Sequence, residues 1–375
     1  MIKKIVKILL IIFLVLFLAI FYLSIFGIKT DKFNNQISGN ILKFDKKINL
    51  TLRDVNYLLN PYNFTINVKT TDPQISIEGR SFGIKNIQTN VSLKSLINDQ
   101  FLIDDMQIAT KEIKVNDIIR LLRIFQNSPK LFILDKVIKD GFATINLNLK
   151  FDKKGNLKEN YKIEGSVKKT KVNILNQIKV QNLNFNFDIN KNIYSLNYID
   201  MKLNDTKVTS PLIEIKKNKN LFIVNGQFLN DKKNFDIKKL KLIFANLFND
   251  IDIKKIEFSS KNNFSFNISE SLKFDNFKVQ STINLNELIV NQKNLKLKPY
   301  FPNFIDEIKL DEHEIVINYK KNKLDVKGKG KILLQDKLDN LSYQIIKDNI
   351  KLSFDSEINL KNNSLLIDFL DYEKK

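Results

Sequence analysis

FATINLNLKF, residues 142–151, alternates without a break. Ala143, Ile145, Leu147, Leu149 and Phe151 fall on one side, and Thr144, Asn146, Asn148 and Lys150 on the other. A β-strand imposes this period of two on its side chains. Asp152-Lys153-Lys154-Gly155-Asn156 follows as a hairpin turn. The pattern then recurs down the chain. LNFNFDI (183–189) sets Leu183, Phe185, Phe187 and Ile189 against Asn184, Asn186 and Asp188. NFSFNIS (263–269) places Phe264, Phe266 and Ile268 together, and LDVKGKGKILL (324–334) continues the alternation. IKLSFDSEINL (350–360) aligns Ile350, Leu352, Phe354, Ile358 and Leu360. Turns rich in Asn and Lys separate the runs. One helix is expected among them, near Leu338–Ile346.

Residues 141–375, at roughly 10–12 per strand and turn, make about 20 mostly antiparallel strands. Each is apolar on one face and hydrated on the other. That apolar face must be hidden, at roughly 25 cal/mol per Å². The sequence offers few helices to cover it. Two solutions remain: the sheet closes on itself as a sandwich or barrel, or it curls into a trough whose apolar face meets acyl chains. Periodicity alone leaves both open. Most of the 29 Phe serve as core in the first case and line the trough in the second.

The beginning of the chain is different. Ile8 to Ile28 is an uncharged run of 21 residues, enough for a helix of roughly 31 Å, about one hydrocarbon core. It is longer than the apolar region of a signal peptide, and Ile25-Phe26-Gly27 is a poor cleavage site. An uncleaved anchor is expected. Lys3, Lys4 and Lys7 precede it with no acid among them, whereas Asp31 dilutes Lys29 and Lys32. The more positive flank stays cytoplasmic, which gives a cytoplasmic tail at 1–7, a span at 8–28 and an exported body. No second run of this length follows.

Residues 29–140 read as a mixed region. FTINV (64–68) and ISIEG (75–79) alternate, and a helix opens with Asn116 or Asp117 as its cap. Ile118, Leu121, Leu122 and Phe125 then form one apolar stripe, which suits packing on a sheet. Asn127-Ser128-Pro129 ends the helix.

Several chemistries are ruled out. The chain has no Cys, no Trp and one His, which removes disulfides, thiolate nucleophiles and Cys/His zinc sites. Ten Gly in 375 residues are too few for Gly-rich phosphate loops. Gly328-Lys329-Gly330 lacks the third Gly and the helix of a dinucleotide site and marks a bend or bulge instead. In Asp311-Glu312-His313-Glu314, alternation sends Glu312 and Glu314 opposite to Asp311 and His313, so the cluster reads as a solvated turn or strand start. No catalytic, metal or cofactor site is expected, and the chain is read as a non-enzyme. The net charge of +20 falls to +17 without Lys3, Lys4 and Lys7. It is spread evenly instead of forming a patch, and an exported body meets no nucleic acid.

One segment carries a resemblance. In FGIKNIQTNVSLKSLINDQFLIDDMQIATKEIKV (Phe82–Val115), an alternating strand leads into the turn-helix SLKSLIND (Ser92–Asp99). A strand pair and the 116–125 helix follow. With the anchor before it and the long alternating body after it, the chain resembles the AsmA/TamB-like envelope proteins, including the YhdP branch. More distantly it is similar to the chorein domain of bridge-like lipid transfer proteins. The resemblance implies a mainly β fold: a single N-terminal transmembrane helix, a few short helices near it, and a long, curled antiparallel sheet forming a groove at 141–375. It implies an inner-membrane anchor, a periplasmic body, and phospholipids carried between inner and outer membranes in support of outer-membrane integrity. An envelope or outer-membrane protein is the further partner. The lipid-contacting residues would be Ile145, Leu147, Leu149, Phe151, Leu183, Phe185, Phe187, Ile189, Phe264, Phe266, Ile268, Ile350, Leu352 and Phe354. The alternative is a non-enzymatic assembly protein with a closed β-sandwich body that binds another envelope protein.

Overall fold

Helix α1, Ile2–Ile25, is apolar along nearly its whole length and exposed around most of its circumference. Lys3–Ile25 is long and apolar enough to cross a membrane. The helix stops three residues short of the expected span because Gly27 takes a left-handed conformation (φ +66°). Ile28 then opens a strand. The computed structural model describes residues 2–32, 34–35, 38–39, 47–93, 103–126, 128–152, 156–174, 178–204, 206–237, 252–271, 273–291, 297–304, 306–348 and 351–374. The fold is mainly β, a long antiparallel sheet that does not close into a barrel. Two compact units share it. The first is Met1–Thr170 with Asn186–Lys191, and the second is Lys171–Phe185 with Asn192–Lys375.

The first unit contains β1 (Ile28–Thr30), β2 (Ile48–Thr51), β3 (Val55–Asn60), β4 (Thr65–Thr71), β5 (Gln74–Ile77), β6 (Arg80–Ser92), β7 (Ile103–Thr110), β8 (Ile113–Lys114) and β9 (Ile138–Lys150). The main ladder runs β1, β3, β4, β6, β7, β9. Besides β7, the 13-residue β6 serves two further partners. Arg80–Gly83 pairs with β5, which in turn holds β2, while Asn86–Ser92 pairs with β4. The unit's core lies where these pairings meet. Leu50, Leu52, Val55, Val68 and Val91 are buried together, with Tyr57, Ile66, Ile75 and Ile87 packed around them.

Between β8 and β9 come two helices. The first, α2 (Val115–Phe125), starts before the expected caps: Asn116 instead donates its side-chain N–H to the Ile138 carbonyl (3.0 Å). Its buried residue is Ile119, whereas Leu122 and Phe125 are exposed, so the expected stripe is turned partly away from the sheet. A second helix, α3 (Pro129–Val137), starts where the sequence reading placed only a stop. Ser128 caps it, accepting from the Leu131 N–H at 3.4 Å, and Pro129 occupies the first helical position, where its missing donor costs nothing. Of the expected Ser92–Asp99 turn-helix, residues 94–99 lie outside the described residues.

Strands β10 (Lys162–Ile174) and β11 (Ile178–Asn190) each contribute to both units. The second unit continues with β12 (Ile193–Leu203), β13 (Thr206–Asn218), β14 (Leu221–Asn234), β15 (Asp252–Ser269), β16 (Phe274–Asn291), β17 (Glu307–Lys320), β18 (Lys323–Leu333), β19 (Leu338–Lys347) and β20 (Leu352–Asn359). A hairpin of β21 (Leu365–Ile367) and β22 (Tyr372–Lys374) follows. From β12 to β20 each strand pairs antiparallel with the next.

Two expectations need correction. The Leu338–Ile346 segment is not helical: it is β19, paired on one side to β18 and on the other to β20. Its apolar residues recur at a spacing that suits either period, and the pairing on both edges decides the outcome. Among the described residues the strands between 138 and 374 number β9 to β22, fewer than about 20, because several are long. Both β15 and β16 run for 18 residues, against a usual strand of about 5–6.

Candidate functional site: the apolar face of the sheet

Strand registers in the second unit fix which side chains share a face. Across β14–β18, Gly226, Phe264, Val279, Tyr319 and Leu324 form one row. Ser281, Ile317, Val326, Ile345 and Phe354 form another, which carries the apolar face to β20. At the end of the strands near Ile253, Val290 and Ile308 this face is covered. There Phe235, Ile253, Ile256 and Leu285 are buried together, and Phe301 and Phe304, from the segment before β17, close over Ile332 and Leu334.

The opposite end is open. Rings of Phe228, Phe264, Phe266, Phe274, Phe277 and Tyr319 make a chain of contacts with centroids 4.9–6.2 Å apart. Phe274 is nevertheless 71% exposed. Asn276 in a left-handed conformation (φ +54°) and the register shift between Ser265 and Asn267 insert a bulge. A bulge lets residues three apart share a face, and both Phe274 and Phe277 reach Phe266. Between the open and covered ends lies an uncharged polar patch. Ser260 donates to the Asn230 side-chain oxygen, and Asn262 donates to Ser260 Oγ (2.7 Å).

The sequence-derived candidates fall as follows. Phe264, Phe266 and Ile268 share the open end, with Ile268 between Phe222 and Phe274. Leu352 and Phe354 lie on the same face in β20, where Phe354 is 65% exposed. Leu183 and Phe185 lie half-buried in β11. In the first unit, Ile145, Leu147 and Leu149 are half-buried along β9, and Phe151 is bridged to Leu157. Thr144 and Ser166 hydrogen-bond (2.9 Å) on one face of β9 and β10. On the other face the Phe187 ring lies over Gly165, where a Cβ would approach within 2.5 Å of it. Ile189 is half-buried in β11. Ile350 lies outside the described residues. None of the described candidates belongs to the fully buried set. They are half-buried, or exposed in the case of Leu352 and Phe354. Phe228, Phe274, Phe277 and Tyr319 were not among the candidates, because the bulge breaks the alternation that would have revealed the middle two.

The opposite face is ionic. Glu287 is held between Lys255 and Lys309 (3.0 Å to the latter). These hydrogen bonds, Lys255 first, keep its carboxyl below the usual carboxylate range. Lys331 meets Glu312 at 2.5 Å and Lys329 meets Glu314 at 3.5 Å. The Asp311–Glu314 cluster is therefore not a solvated turn or strand start but the middle of β17. Left-handed Glu312 (φ +49°) bulges the strand, so Asp311 joins Glu287 on the ionic face. His313 turns to the apolar face instead, opposite Leu285. The two glycines of β18 make room on that face: a Cβ at Gly330 would meet His313 at 2.4 Å, and one at Gly328 would meet the Tyr343 ring at 2.2 Å.

His313 is 1% exposed. Its Nε2–H donates to the Lys331 carbonyl (2.8 Å), and its buried Nδ1 has no partner among the described residues. Burial pushes the imidazole below its ordinary pKa, against smaller opposing effects of that carbonyl and of Asp311. The unfolded chain takes up a proton near pH 6.5 that the folded chain refuses, so this contribution to stability is whole above that pH and is lost as pH falls. As the only His, its ring resonances should titrate below about pH 6.5. His313→Gln should flatten the decline of the urea midpoint between about pH 6.5 and 5; an unchanged decline would exclude His313 as its source.

Compared with known protein families, curated proteins and solved structures, the chain matches none.

Proposed function

We propose that the protein is a membrane-anchored lipid-binding protein whose apolar sheet face takes up phospholipid acyl chains. In this reading α1 sits in the inner membrane with Lys3, Lys4 and Lys7 on the cytoplasmic side, and the sheet lies in the periplasm. Phospholipids pass along the apolar face between inner and outer membranes, in the manner of the AsmA/TamB-like proteins that the sequence resembles. The observation that carries the proposal is the open aromatic end of β14–β17. At this end the rings stay half-buried or exposed, Phe274 and Phe277 the most. Covering a half-exposed Phe recovers roughly 1 kcal/mol, and an acyl chain laid along the row covers several at once. The uncharged patch of Asn230, Ser260 and Asn262 offers hydrogen bonds to an ester region without demanding a charged headgroup. Binding is therefore broad in lipid type.

Photo-crosslinking tests this. Benzoylphenylalanine placed at Phe277 or Phe187 in the full chain should capture phospholipid in cells. The same group at Lys261, on the ionic face, should not. Equal labelling at all three positions, or none at Phe277 and Phe187, would remove the proposal.

A further inference from the structure

The anchor and the sheet are joined without a linker. Gly27 directly precedes β1, and Ile28, Lys29 and Thr30 pair with Tyr57, Asn56 and Val55 of β3. A Cβ at Gly27 would come within 2.5 Å of the Tyr57 carbonyl oxygen and 3.1 Å of Leu58 Cγ, so the end of α1 is seated on β3. Strand β1 leads away from the helix, and antiparallel β3 runs back toward it. Leu58, Leu59 and Asn60 therefore extend past Ile28 on the helix side. The last turn of α1 packs against β3, with Leu23 and Ser24 partly covered.

Beyond them comes the β3–β4 turn, Asn60-Pro61-Tyr62-Asn63-Phe64. At ~3.3 Å per residue Asn60, three residues past Tyr57, lies roughly 10 Å past the level of Ile28, and the tip of the turn lies farther along the helix side. The turn is ordered by its own bonds, with the Asn60 side-chain oxygen accepting from the N–H groups of Tyr62 (3.1 Å) and Asn63 (3.3 Å). It contains no charged residue. Tyr62 is 94% exposed and Phe64 63% exposed, the latter held outward in a left-handed conformation (φ +53°). Amphipathic and apolar rings on an uncharged, pre-formed turn beside a membrane span suit the lipid headgroup boundary.

We infer that the β3–β4 turn is a second membrane contact, with Tyr62 and Phe64 entering the headgroup–acyl boundary of the bilayer beside α1. This rests on α1 spanning the membrane. Helix and turn together hold β3 and its ladder at the bilayer surface. With no charge in the turn, the contact is insensitive to salt.

The chain contains no Trp, so one introduced indole reports alone. Phe64→Trp and, separately, Phe13→Trp in the middle of α1 are placed in the full chain and reconstituted in phosphatidylcholine vesicles. Some vesicles carry lipids spin-labelled near the headgroup, others lipids labelled near the chain end. Emission of the Phe64→Trp variant should shift to the blue and lose most of its intensity to the headgroup-proximal label, at low and high salt alike. The Phe13→Trp variant should respond chiefly to the deep label. Quenching of the Phe13→Trp variant with unquenched, water-like emission from the Phe64→Trp variant would overturn the second contact and leave the anchor in place. If neither is quenched, the anchor reading falls and the turn proposal with it.

Discussion

Phe266→Asp should strip bound phospholipid from the purified full chain by at least about tenfold in native mass spectrometry, while the far-ultraviolet circular dichroism of the sheet is retained. Phe266 is the hub of the open aromatic end, in contact with Phe264, Phe274 and Phe277. A carboxylate there still reaches water, because the surrounding rings are only half covered. The cost to folding is that of a partly exposed site, about 1–2 kcal/mol. For an acyl chain the cost is larger, since the chain would have to desolvate the charge to lie on the row. Phe185→Asp, on the same kind of half-buried strand position, should act in the same direction. A closed sandwich makes the opposite forecast: the variant unfolds. Retained lipid in a folded Phe266→Asp variant would sink the lipid-binding reading.

Val55→Asp should produce the reverse pattern, loss of the fold of the first unit. Val55 is fully buried, among Leu50, Leu52, Val68 and Val91. No solvent reaches it and the cluster around it is apolar, so the new carboxyl is buried among apolar side chains. The expected loss is about 3–5 kcal/mol, a large share of the stability of an ordinary domain. Urea unfolding followed by circular dichroism, or protease sensitivity of the segment around β3–β6, would read it. Because β3 also seats the end of α1, cleavage should separate the rest of the sheet from that helix. A Val55→Asp chain as resistant to urea and protease as the parent would show that the Leu50–Val91 cluster does not hold the unit together. The pair of substitutions separates what the face does from what the core does.

The period of two made the sheet legible. FATINLNLKF, LNFNFDI and NFSFNIS became β9, β11 and β15 because nothing interrupts their alternation. The apolar run at the N-terminus was equally plain, although Gly27 ends its helix earlier than hydropathy alone suggests. What alternation could not show was where it breaks. Left-handed Asn276 and Glu312 each shift the parity of a strand. They bring Phe274 and Phe277 to one face and separate Asp311 from His313. Neither residue is a glycine, so the sequence carried no flag. Helix α3 was marked by Ser128-Pro129, a cap and a first-turn residue read only as a terminator. The length of β15 and β16 also lay beyond a count based on average strands. The polar patch of Asn230, Ser260 and Asn262 is assembled across strands, and only the register reveals it.

In the second unit the strands from β12 to β20 form one ladder in which each is bonded to the next in sequence. Such wiring has short loops to close, and closure entropy rises with loop length. The segment can consequently zip up hairpin by hairpin during elongation, without waiting for distant parts of the chain. The same economy makes its length adjustable. Duplicating or deleting a hairpin adds or removes one increment of surface and disturbs only the two seams beside it, as in a solenoid.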